Sequence, residues 1–509
     1  MLTLALAALA LLPGAEDPII YTVRFPDPAA HTAVVEVSIP ATGRPSVEIV
    51  MPRWSPGFYR VEDYAAQVKD LSARAGSGEL PVEHPAANRW TVRADGPVSV
   101  RYTLTCEAQS VTTNWVGPGL VVLNGPATFP FFAGLEHRPC EVRVELPAGW
   151  ARSASGMPSA GRENTYRAAD YETLADSPIV AGGLELAEFE VAGVKHTVVT
   201  AGDSAGWDAA RAAGDYRKIV EENRRFWGTL PFDRYVFLSV FRAGGGGLEH
   251  RNSTLLTSNA GAMKSAGGYR GWLRFVGHEY FHTFNVKRVR PVELGPFDYE
   301  HEPRTSGLWI AEGVTAYYDG LLNTRAGLAG AEDFLAALSD SVERLQKSPG
   351  RKVQSLERAS LDVWTTSFSG MGGGDTTISY YTKGAVAAFL LDARVRTASR
   401  GAKSLDDVMR AALAKYGGAK GFTAAEFRRL CSDTAGEDLT AGFARAIGST
   451  EELDYAEGLA CFGLRFAPDG EGRPTWRLEG DPAATAEQSA RRASWLGPSG
   501  PAVSGPPSR

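Results

Sequence analysis

Cysteine is scarce, four residues in a chain of 509, too few for disulfides to define the fold. Positive charge is not in surplus either. Fifty-three Lys and Arg stand against 59 Asp and Glu, a formal net charge of -6, so the basic face of a nucleic-acid-binding protein is not expected. Apolar runs that could span a bilayer, about 20 residues, are also lacking. The run from Leu2 to Leu12 stops short of that length and leads into Pro13-Gly14-Ala15. It has the form of a signal-peptide apolar region with a small-residue exit, although no Lys or Arg precedes it. The expectation is a signal segment over residues 1–16 and export to the periplasm or the extracellular space. The alternative is a buried N-terminal strand or helix in a cytoplasmic protein.

What is there reads as globular. Hydrophobic residues make up 44% and charged residues 22%, a balance suited to packed cores, and the length suits about three domains. From residue 17 to 195 apolar residues alternate with polar ones in short runs, as at Val35, Val37 and Ile39, with Pro and Gly between the runs. This predicts an antiparallel β-sandwich. Cys106 and Cys140 each fall on the apolar face of such a run. A bridge between them and two buried thiols are both open, as they are for Cys431 and Cys461. A strand-like run, Tyr235 to Phe241, then leads into Gly244 to Gly247. Helical patterns follow over 269–287, 306–324, 331–346, 380–397, 404–416 and 423–433, and the tail from 466 to 509 is predicted to be disordered. The fold class is multidomain α+β.

The segment Gly277-His278-Glu279-Tyr-Phe-His282 carries the chemistry. Residues four apart on a helix share one face, so His278 and His282 can offer two imidazole nitrogens to one ion. Glu279 projects beside them as a base for a water. Hydrolytic zinc takes three protein ligands and keeps one position open. The candidate third ligand is Glu312, in Trp309-Ile-Ala-Glu312-Gly, far enough on for a loop and a second helix. Asp319 lies two turns further along that helix, placed to orient a ligand histidine.

The stretches HEYFHTFNVKRVRP (278–291), LWIAEGVTAYYDGLL (308–322), PGRKVQSLERAS (349–360) and ISYYTKGAVAAFLLD (378–392) together resemble the glycyl aminopeptidase family of gluzincin metallopeptidases. MPRWSPGFYRVEDYA (51–65) is similar to its sandwich domain. The resemblance implies the sandwich, then a thermolysin-like catalytic domain over 196–325, then a mostly helical domain over 326–465, with one Zn2+ per chain. It also implies two further roles. Glu249, in Gly245-Gly-Gly247-Leu-Glu249-His250, would bind the substrate's free α-amino group, with Gly247 letting the backbone approach the substrate. Tyr381, in Tyr381-Thr-Lys383-Gly384, would stabilise the oxyanion, its neighbour Tyr380 being the other candidate. His250 departs from the broader motif, and the PDZ-like module usual after the catalytic region looks truncated or lost. The implied activity is removal of small N-terminal residues, Gly or Ala, from peptides with free amino termini. An endopeptidase with the same zinc chemistry, or a secreted binding protein with a vestigial site, are the alternatives.

Overall fold

The computed structural model describes residues 16–365, 371–372 and 375–498. The expected signal segment falls on 1–15, outside the described residues apart from Glu16. Among the described residues no helix is long and apolar enough to cross a membrane.

The N-terminal domain is built from short alternating strands. In Val98–Thr105 the buried residues are Val98, Val100, Tyr102 and Leu104, the two-residue period of a half-buried sheet. This strand pairs antiparallel with Thr32–Ile39, the centre of a seven-stranded sheet. One pair breaks the antiparallel pattern, since Ile19–Arg24 runs parallel to Cys140–Glu145. Two four-stranded sheets complete the domain. Their shared core holds Tyr21, Tyr102, Phe129, Phe132 and Val142. Cys106 and Cys140 are separate buried thiols within it, both pushed up to about 12 by burial. Cys431 and Cys461 are likewise unpaired.

A five-stranded mixed sheet follows, in the order Glu185–Val191, Val194–Gly202, Arg234–Phe241, Ser253–Ser258, Gly246–Glu249. The expected domain boundary at 195 is corrected by this pairing. Glu185–Val191 forms a hairpin with Val194–Gly202, which runs parallel to Arg234–Phe241, so the catalytic domain takes in the hairpin. Helix α1 (Ala209–Trp227) covers the sheet through Ala212, Tyr216, Ile219, Val220 and Phe226. Asp208 caps its start and Gly228, at φ 80°, ends it.

Helix α2 (Ala266–His282) is apolar on most of its surface, with Trp272, Leu273, Val276, Tyr280 and Phe281 buried. It packs on α3 (Val314–Arg325), which is preceded by a π-helical turn, Trp309–Gly313. Beyond these lie α4 (Ala331–Lys347), α5 (Tyr380–Ala398), α6 (Leu405–Tyr416), α7 (Ala424–Ala435) and α8 (Ala456–Phe462).

The tail is a second correction over 466–498, the remaining 499–509 lying outside the described residues. Leu464–Pro468 and Pro474–Gly480 form a hairpin, and α9 (Ala486–Leu496) returns to the core. Trp495 is fully buried, stacks on Phe462 at 4.0 Å and donates its indole N–H to the Tyr317 hydroxyl at 2.7 Å. With Leu464, Ala467 and Leu478 also buried, Trp495 helps anchor a segment whose average composition is poor in core formers.

Candidate metal centre

Helix α2 brings the two histidines to one point. His278 Nε2 and His282 Nε2 lie 3.1 Å apart, and Glu312 Oε2 is 3.1 Å from His282 Nε2 and 3.7 Å from His278 Nε2. The outer nitrogens are already engaged. His282 Nδ1 donates to the Asn285 carbonyl at 2.8 Å, which leaves a lone pair on Nε2. His278 Nδ1 faces Asp319 Oδ2 at 3.1 Å, and Arg274 holds that carboxylate through its other oxygen at 2.7 Å. Two imidazole nitrogens and a carboxylate converging this closely need positive charge between them, either a metal ion or a proton on a ring. Burial alone would lower the His278 imidazole, but Asp319 and Glu312 raise it to about 10. Burial would raise Glu312, and the two histidines bring it down to about 2. The donor set fits zinc. Ligands bonded at 2.0–2.1 Å in a tetrahedron lie roughly 3.3 Å apart, close to the separations here.

The turn after α2 fixes this register. The Asn285 amide donates to the carbonyls of Ile310 and Ala311 at 2.8 and 3.1 Å, tying the end of the histidine helix to the π-turn that carries Glu312. A π-turn is a local widening of the helix, frequent at functional sites. Sequence reading did not single out Asn285, although it stands within the HEYFHTFN segment.

Glu279 is buried beside the centre, and burial raises its carboxyl to about 7 against the pull of both histidines. A Cβ on Gly247 would collide with the Glu279 carboxylate and with Phe275, so only glycine fits there. Glu249 is buried too, and one ligand-capable atom each from Glu249, Glu279 and His282 lie within 4.8 Å of one another. His250 does not line the cavity; its Nδ1 contacts Asp176 of the sandwich domain at 3.1 Å.

Helix α5 enters from the far side. Ideal Cβ atoms at Gly313 and Gly384 would stand 2.5 and 2.8 Å from the other glycine's Cα, so the two backbones touch. This contact sets Tyr380 and Tyr381 at the start of α5 against the metal side. The Tyr381 ring lies 6.2 Å from His278, inclined at 28°, and is half-buried. Tyr380 is fully buried, and its hydroxyl has no hydrogen-bond partner among the described residues. Burial and the Glu312 charge push both phenols well up.

These residues line a cavity of about 810 Å³. The sandwich domain supplies one wall, with Gly57, Phe58, Tyr59, Arg60, Gln109 and Val111. Sequence reading assigned that domain no place in the site; the signal was the Ser-Pro-Gly-Phe-Tyr string over 55–59.

Residues 20–183 match the Peptidase M61 N-terminal domain, and residues 271–387 match M61 glycyl aminopeptidase. A crystal structure of an aminopeptidase N family protein from Idiomarina loihiensis superposes with a TM-score of 0.84 at 30% identity, covering 89% of this chain and 80% of that one. The chain belongs to the M61 glycyl aminopeptidase family. This M61 chain is a hydrolase of the aminopeptidase class, as its family is. Its fold extends to an M1 zinc metallopeptidase from Deinococcus radiodurans, with a TM-score of 0.54 at 14% identity over 86% of this chain and 94% of that one. A variant of that enzyme bound to a Tyr-Ser-Ala substrate matches with a TM-score of 0.53 at 16% identity, over 86% and 95%. No curated protein matches the chain.

Proposed function

We propose that this M61 chain is a zinc aminopeptidase that removes small first residues, Gly or Ala, from peptides with a free amino terminus. His278, His282 and Glu312 would hold one zinc ion per chain, and the chemistry it would supply when bound is Lewis-acid activation of a water, with a pKa brought down to ~7. The protein does the rest. Glu279 takes the proton from the attacking water and passes it to the departing amine. Tyr381 donates its hydroxyl hydrogen to the oxygen that becomes negative in the tetrahedral intermediate. Glu249 pairs with the α-ammonium and so counts cleavage from the chain end. Asp319 holds the His278 ring in its ligating orientation.

One observation carries the reading. The ligand triangle of 3.1, 3.1 and 3.7 Å lies beside two buried carboxylates, Glu279 and Glu249, that face the same cavity. A metal triad with one acid suits peptidases in general; the second acid supports recognition of an amine. The similarity to peptidases named for glycine supports a small first residue.

The test is metal content together with release of Gly or Ala from peptides, for the wild type and Glu279→Gln. The variant should retain zinc and lose at least about 10³-fold in kcat. Acetylation of the substrate amino terminus should abolish cleavage; rapid cleavage of acetylated peptides would instead mark an endopeptidase.

A further inference from the structure

The turn after α2 also carries Lys287, which the mechanism above does not use. Its side chain is 5% exposed. The ammonium stands 3.0 Å from Asp176 Oδ1 and 3.8 Å from Glu249 Oε1. Asp176 ends the short helix Tyr171–Ala175 of the sandwich domain and is itself fixed by the Arg251 amide at 2.7 Å and by His250. The backbone delivers Lys287 to this place under constraint. Val286 takes φ 138°, a conformation rare for a β-branched residue. The Lys287 amide donates to the His282 carbonyl at 3.1 Å, and the Arg288 guanidinium clamps the turn through the Thr283 and Pro231 carbonyls at 2.7 and 3.0 Å. One turn therefore sets both a metal ligand and a buried cation.

Glu249 needs such a cation. Glu279 and Glu312 face it across the cavity, and its Oε1 has no hydrogen-bond donor among the described residues. Gly57 of the sandwich domain closes one face. A Cβ there would sit 2.5 Å from Oε1 and 2.8 Å from Oε2. A buried carboxylate among other acids is costly to hold in place unless a positive charge stands beside it. At 3.8 Å Lys287 acts on Glu249 by its charge rather than by a hydrogen bond.

We propose that Lys287 is a positioning residue for Glu249: anchored on Asp176, its ammonium draws Oε1 to itself and leaves Oε2 for the α-ammonium of the peptide. This rests on the amine-binding reading of Glu249 given above. The competing role is purely structural, with Lys287 present only to neutralise Asp176.

A pair of variants separates the two. Lys287→Met leaves Asp176 buried without its cation and can fail to fold; the double variant Lys287→Met with Asp176→Asn removes both charges and avoids that penalty. Full-length, zinc-loaded protein is titrated calorimetrically with triglycine and with N-acetyl-triglycine, in a Glu279→Gln background that prevents turnover. Parallel assays with Glu279 restored give KM and kcat for a glycyl anilide. The double variant is expected to lose about tenfold of the preference for the free amine, and to show it as a raised KM with kcat within about twofold. A double variant with the wild-type preference overturns the proposal and leaves Lys287 a structural counter-ion. A wild type that binds both peptides equally removes the amine-binding role of Glu249, and the proposal falls with it.

Discussion

At His278 both ring nitrogens are committed, Nε2 to the ligand triangle and Nδ1 to Asp319, which Arg274 holds in turn. Each partner narrows the freedom of the next, so the imidazole is held in one orientation. Asp319→Asn should therefore retain the fold and lose about 10- to 100-fold in zinc affinity, measured by competition with a chelator. Much of this geometry was legible in the sequence, because an i, i+4 pair and an acid seven residues along the next helix obey helical arithmetic. Asn285 and Lys287 were not legible. Their roles depend on a tight turn whose path no periodicity reports. Gly57 and Asp176 were hidden by distance along the chain, since nothing local says that they meet Glu249 and Lys287.

Among the elements, the π-turn before α3 and the start of α5 carry the site's most demanding contact. Gly313 and Gly384 meet backbone to backbone, and the turn holding Glu312 and the turn holding Tyr381 lie on either side. A Cβ on Gly384 would also stand 3.2 Å from the Trp309 carbonyl. Gly384→Ala is thus expected to part the helices, costing about 1–3 kcal/mol by overpacking. kcat should fall about tenfold or more, since a 1 Å misplacement can cost up to about 10²-fold. Thermal melting and steady-state kinetics on the same preparation check both, and zinc content should stay near the wild type. Helices α2 to α7 were readable from their periodicity, whereas the short helix α8 was not. Helix α1 was passed over although Asp208, Gly228 and a stripe at Ala212, Tyr216, Ile219 and Phe226 were present. Its small and charged residues dilute the apolar signal that a window averages. The order of the tail over 466–498 escaped for a related reason, since it rests on a few buried residues, Ala467, Leu478 and Trp495, and not on mean composition.

Across the whole molecule, stability should depend on acid through His196, whose Nε2 stands 3.4 Å from the Tyr280 hydroxyl on α2. His196 is fully buried between strands, stacked on Phe189 at 4.9 Å, with Nδ1 at 3.0 Å from the Val194 carbonyl. Burial lowers its imidazole from 6.5 to about 4. The folded state therefore resists a proton that the unfolded chain accepts between pH 6.5 and about 4. Above pH 6.5 this group costs nothing; as pH falls to about 4 it removes roughly 3 kcal/mol of stability. Denaturant midpoints measured from pH 7 to 4.5 should fall, and should fall less steeply in His196→Phe.

The cavity's two walls come from opposite halves of the polypeptide, the sandwich on one side and α2, α3 and α5 on the other. During synthesis the sandwich emerges long before α5 leaves the ribosome, so no nascent fragment carries a finished cleft. A complete cleft therefore forms only when the late helices dock on the early domain.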